Sequence, residues 1–141
     1  MLSASLLLIA GIAGTALDRP PADAAPVSKI VAALVEREPK AIVVAIEFDD
    51  DVWEADARLG EAWWRIDLNP MDGSEVRREK GDAEETPPEN AKPLAEILAS
   101  LEAEVGVIEE AEFDDGLWEI EARKDGRKVK VKVDPVSGKR V

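Results

Sequence analysis

Glu47-Phe48-Asp49-Asp50-Asp51-Val52-Trp53-Glu54 places five carboxylates within eight residues. Oxygen clusters of this kind can hold a hard cation such as calcium. Two suitably spaced carboxylates can also act as acid and base on a glycosidic bond. A second stretch, Asp67-Leu68-Asn69-Pro70-Met71-Asp72-Gly73, approaches a calcium loop. Its spacing is one residue too long, and no Glu closes it. Asx, then Pro, with Gly last, describes a type I turn closed by a glycine bulge. The chain has no Cys and no His. Thiolate and imidazole metal sites are therefore excluded, as are Ser-His and Cys-His nucleophiles. Beyond residue 24 the hydroxyl side chains are Ser28, Ser74, Thr86, Ser100 and Ser137, with no base to activate them. No catalytic residue, no metal site and no cofactor is expected.

The acidic stretch has a twin. Glu112-Phe113-Asp114-Asp115-Gly116-Leu117-Trp118-Glu119 follows sixty-five residues later, and Ala57-Arg58 and Ala122-Arg123 continue the match. Pro70, Gly73 and Val76 meet Pro135, Gly138 and Val141 at the same offset. The twin keeps two Asp and puts Gly116 where Asp51 stands. That exchange removes a ligand but suits a turn with positive φ, so Asp49–Asp51 reads as a hairpin turn. Upstream the match is looser, and Ile30, Ala33 and Leu34 align with Leu94, Ile97 and Leu98.

These positions need elements to hold them. Apolar spacing predicts a helix over Ser28–Glu38, with Ser28 as N-cap, and another from Pro93, stopped at Gly106. Alternation predicts three strands per copy: 41–48, 52–58 and 62–68, then 106–113, 117–123 and 128–133. In the last, Val129, Val131 and Val133 face inward, while Lys128, Lys130 and Lys132 face outward. By the repeat, Trp64, Ile66 and Leu68 also point inward, and Trp63, Arg65 and Asp67 outward. The expected fold class is α+β: two tandem modules, each one helix on a three-stranded antiparallel sheet. Repeat 1 spans 25–76, a polar linker 77–90, and repeat 2 spans 91–141.

Two copies carrying helix, acidic turn, Trp with alternation, and a strand running into Asp134-Pro135-Val136-Ser137-Gly138 resemble the PepSY domain family. The second copy carries the pattern best. In the first, Asn69 replaces the Asp, Asp72 the Ser, and Gly60-Glu61 the Asp125-Gly126 turn. The resemblance implies a non-enzymatic module that binds and restrains a peptidase, or serves a membrane sensor, and it brings no catalytic residues with it.

Net charge is −13. That excludes the basic surface nucleic acid requires and disfavours anionic membranes. Residues 1–16 are apolar and uncharged, and Ala22-Asp23-Ala24 fits a cleavage pattern. Residues 1–24 are therefore expected to be a signal peptide, with cleavage after Ala24, or else after Ala16. The mature protein would be periplasmic or secreted. An exposed Trp is an interface anchor, and a lysine stripe can dock an acidic partner. Trp63, Arg65, Lys128, Lys130 and Lys132 are thus the candidate contacts with a protein partner. The alternative is a periplasmic cation-binding or sensing protein that uses the acidic turns.

Overall fold

The computed structural model describes residues 19–141. The signal-peptide expectation falls mostly outside them. Their elements run α1 (Val27–Arg37), β1 (Ala41–Asp49), β2 (Val52–Leu59), β3 (Ala62–Leu68), β4 (Glu75–Lys80), α2 (Leu94–Val105), β5 (Val107–Asp114), β6 (Leu117–Lys124) and β7 (Arg127–Val133). No described helix is long and apolar enough to cross a membrane.

The α+β class holds, but the two-module arrangement does not. All seven strands form one antiparallel sheet in the order β4-β3-β2-β1-β5-β6-β7. Both helices pack side by side on one face, above a single core that draws on both halves. A small module alone would bury too little apolar area, and joining the sheets lets both halves share one core. The seam is short: β1 meets β5 only at Ala45↔Glu112, Ile46↔Ala111 and Glu47↔Glu110.

Strand β4 departs from the expected linker. Arg77–Lys80 continue a strand paired with β3 instead of leaving the sheet. Glu75-Val76-Arg77-Arg78-Glu79-Lys80 carries almost no apolar alternation, because an edge strand needs little. Arg78 explains its retention. It bonds Glu38 and Glu75 at 2.6 Å each and lies 5.5 Å over the Trp64 ring, closing the core at that margin.

Within the sheet the two halves keep the offset of sixty-five in detail. Phe48 packs edge-on to Trp53 and Phe113 edge-on to Trp118, with ring centroids 5.2 and 5.3 Å apart. The register shifts between Val43 and Ala45, and again between Ile108 and Glu110. Trp64, Ile66 and Leu68 face the core as the alternation required.

The helices correspond differently. α1 follows Pro26 and α2 follows Pro93, and each Pro accepts bonds from residues three and four ahead. Val27, Ile30, Val31 and Leu34 therefore match Leu94, Ile97, Leu98 and Leu101, at an offset of sixty-seven. The match read from the sequence is three residues, nearly one turn, out of step with this. The N-cap is Pro26, and Ser28 lies inside the first turn. The true correspondence also extends upstream. Pro20-Pro21-Ala22-Asp23-Ala24-Ala25-Pro26 parallels Pro87-Pro88-Glu89-Asn90-Ala91-Lys92-Pro93. Ala24 N–H donates to Pro21 O, and Ala91 N–H to Pro88 O, at 3.0 Å in both cases. Ala25 N–H donates to Pro70 O, and Lys92 N–H to Pro135 O.

Candidate functional site

The helices cover one face of the sheet. The residues that alternate with the core point to the other face, and the register orders them into two rows. One row reads Lys130, Glu121, Glu110, Glu47, Glu54, Asp67, Arg77. The next reads Lys132, Glu119, Glu112, Ala45, Asp56, Arg65, Glu79. Carboxylates occupy most of the middle, lysines hold the β7 margin and Arg77 ends the first row, whereas the second row ends on Arg65 and Glu79. Like charges directly opposite each other on neighbouring strands destabilise a sheet, and here Glu47 faces both Glu54 and Glu110.

The electrostatics follow from that placement. Partial burial, then the neighbouring Asp49, raises Glu47 above the ordinary carboxylate range. Burial, then Glu47, raises Glu110. Glu54 and Glu112 are raised for the same first reason. Glu84, from the segment after β4, is raised by burial and by Asp56 beside it. Turn and rim acids go the other way. The Ser74 N–H and hydroxyl lower Asp72, Arg78 lowers Glu75, and the Ser137 and Val136 N–H groups lower Asp134.

The segment Gly81–Pro93 acts as a strap at one end of this face. Gly81 N–H donates to Trp63 O at 2.9 Å. Glu84 lies by Asp56, and Glu85 accepts from the Asp115 and Gly116 N–H groups at 2.9 Å each.

The five expected contact residues all reach the open face, but in different circumstances. Trp63 is half-buried beside Arg58, its partner in register, with the strap bonded to its carbonyl. Arg65 pairs with Asp56 at 2.9 Å and approaches Glu54 at 4.0 Å, which makes it a counter-charge within the acidic rows. Lys128 and Lys130 pair with Glu121 at 3.4 and 3.8 Å, and Lys132 continues that margin. The lysines lie on β7, an edge strand, where charge also deters pairing with another chain.

The acidic turns are hairpins. Asp50 and Asp51 have φ of 49° and 68°, and Asp115 and Gly116 of 52° and 80°. In the longer loop Asn69 Oδ1 accepts from Met71 N–H, and Asp72 Oδ1 from Ser74 N–H and hydroxyl. These oxygens are satisfied within the loop. Among the described residues, the carboxylates close enough to share one cation are Glu85, Asp114 and Asp115 rather than Asp49–Asp51.

The sheet with two helices on one face, an open acidic face and paired hairpins defines an α+β module of two related halves. Residues 81–141 match the family model PepSY_2, described as "Peptidase propeptide and YPEB domain". The resemblance read from the second copy is therefore shown for that half of the chain. No curated protein matches the chain. Among solved structures, a proposed lipoprotein of Clostridium difficile 630 aligns with 16% identity and a TM-score of 0.48, over 86% of this chain and 93% of that one.

Proposed function

We propose that this is an exported, non-catalytic module that binds another protein, and that a peptidase is the partner class to test first. The observation that carries the reading is the open sheet face. Its central carboxylates oppose one another and are raised by burial, and apart from Arg65 their counter-charges stand at the margins. A cationic protein surface laid across Glu47, Glu110 and Glu112 would relieve that repulsion. The match of residues 81–141 to a peptidase-propeptide family supports the choice of partner. Pull-down from an envelope extract, paired with a protease-inhibition assay, tests it. Glu47→Gln with Glu110→Gln is expected to weaken capture. No specific capture and no inhibition would remove the proposal.

A second reading is cation binding at Glu85, Asp114 and Asp115. The Asp115 and Gly116 N–H groups already account for where Glu85 sits. Calorimetry with calcium decides between the two: a heat abolished by Asp114→Asn favours the cation, and a flat titration ends this reading.

A further inference from the structure

The related halves form two equivalent clefts, each between a helix, the start of a strand and a proline-bearing segment. In one cleft polar groups bridge the walls. Glu102 on α2 accepts from Ser28 Oγ at 2.7 Å and from Ser28 N–H at 2.9 Å. Arg123 Nε donates to Glu109 at 3.1 Å, where Glu109 is the bulge residue of β5. In the other cleft both acceptors and the donating serine are gone. Val35 stands for Glu102, Ala95 for Ser28, and Val44 for Glu109. The arginine is kept. Arg58 Nε is buried and has no hydrogen-bond partner among the described residues.

A groove of about 850 Å³ opens there, with Val35, Ile42, Pro87, Ala95, Trp118 and Arg58 among its walls. One wall is a free strand edge. β5 pairs with β1 only from Ala45 onward, which leaves Ala41–Val44 without a ladder partner on that side. An unpaired edge beside apolar pockets is the setting in which an extended peptide adds a strand. An unpaired, part-buried guanidinium gains most from a carboxylate, which it can hold through two charge-assisted bonds.

We infer that this groove takes an extended segment of the partner protein. The segment would carry apolar side chains and one carboxylate, lying along Ala41–Val43 with the carboxylate on Arg58. The inference rests on the protein-binding reading, for which it supplies a second contact region beside the acidic face.

The test is selection of a displayed random octapeptide library on the full chain, followed by fluorescence anisotropy with the winning peptides. Winners should share apolar residues and one Asp or Glu. Arg58→Gln should weaken them about tenfold to a hundredfold. Val35→Glu, which restores the bridging acid of the other cleft, should weaken them similarly. Arg123→Gln should leave them unchanged, and circular dichroism verifies that each variant is folded. Winners indifferent to Arg58→Gln and Val35→Glu overturn the groove while the pull-down reading stands. An empty selection also overturns the groove, and an empty pull-down besides removes the reading beneath it. Binding seen only after deletion of residues 1–18 overturns the partner assignment in favour of the chain's own segment.

Discussion

The two clefts have the same backbone and opposite chemistry. Around Arg123 the fold supplies Glu109, and between the helices it supplies Ser28 and Glu102. Around Arg58 it supplies Val35 and Ala95, and leaves the Arg58 Nε without a hydrogen-bond partner among the described residues. One cleft thus uses its polar groups on itself. The other keeps a charge whose buried Nε has no hydrogen-bond partner among the described residues. The difference also shows that a repeat preserves what packing requires, here the Trp, the bulge and the proline before each helix, and lets bridging polar groups drift.

The harshest way to break the comparison is to ask whether the halves fold separately. Trp53 and Trp118 are each 1% exposed, and each packs on its own Phe within one core. Removing either should cost about 3–5 kcal/mol. Because the core is shared, Trp53→Ala and Trp118→Ala should each lower one cooperative urea transition for the whole chain. Two separate transitions, with only the mutated half shifted, would show two units instead of one.

The arginines sharpen the comparison at smaller scale. Replacing Arg123 by Met leaves the part-buried Glu109 without its partner and should cost about 1–2 kcal/mol. Arg58→Met removes a guanidinium whose buried Nε has no partner among the described residues, and should be neutral or stabilising by under about 1 kcal/mol. Equal losses at the two sites would mean that Arg58 has an acceptor after all.

What the sequence disclosed follows from what each element needs. Hairpins were legible because positive φ demands Asp or Gly, as at Asp115-Gly116 and Asp125-Gly126. Core faces were legible from alternation. Strand β4 was not, since its partner covers one edge and solvent the other, leaving no apolar period to read. The helix match slips by three residues because helical apolar spacing resembles itself after one turn. The prolines fix the true register, and Pro-Pro-x-x-Ala-x-Pro was the available signal. The unsatisfied Nε of Arg58 was beyond reach, because the bond from Arg123 to Glu109 at the β5 bulge, and the replacement of that acid by Val44 in the first half, depend on the strand pairing. The lysines of β7 were visible as a stripe, but that Glu121 partly neutralises them depends on the strand pairing.

The proline match also bears on how far upstream the fold extends. Pro20–Pro26 repeats a segment the other half uses to launch α2, and Ala25 packs against the core. A chain beginning at Ala25 loses Arg19–Ala24 and the Pro21–Ala24 turn. It should be less stable than one beginning at Leu17 by about 1 kcal/mol, roughly the worth of one hydrogen bond. A start at Ala25 with unchanged stability would make the match incidental.

The smallest effect contrasts the centre of the open face with its rim. Glu47 and Glu110 bind protons more tightly when folded, so between their ordinary value of 4.5 and their raised one the native state holds more protons than the unfolded chain. Stability there falls as pH rises. Glu75 and Asp134 are lowered, so the stability they contribute at neutral pH is lost as pH falls through and below their ordinary values of 4.5 and 3.8. Maximum stability should therefore lie on the acid side of neutrality, above those values. Glu47, Glu110 and Glu75 are mostly exposed, and solvent screening limits each of them to a few tenths of a kcal/mol. Glu47→Gln should raise the melting temperature at pH 7 and flatten the slope towards pH 5, whereas Glu75→Gln should lower it at pH 7. Thermal melts across pH 4–8 at low salt measure both. If Glu47→Gln proved destabilising at pH 7, the central carboxylates would already be compensated, and the acidic face would no longer call for a cationic partner.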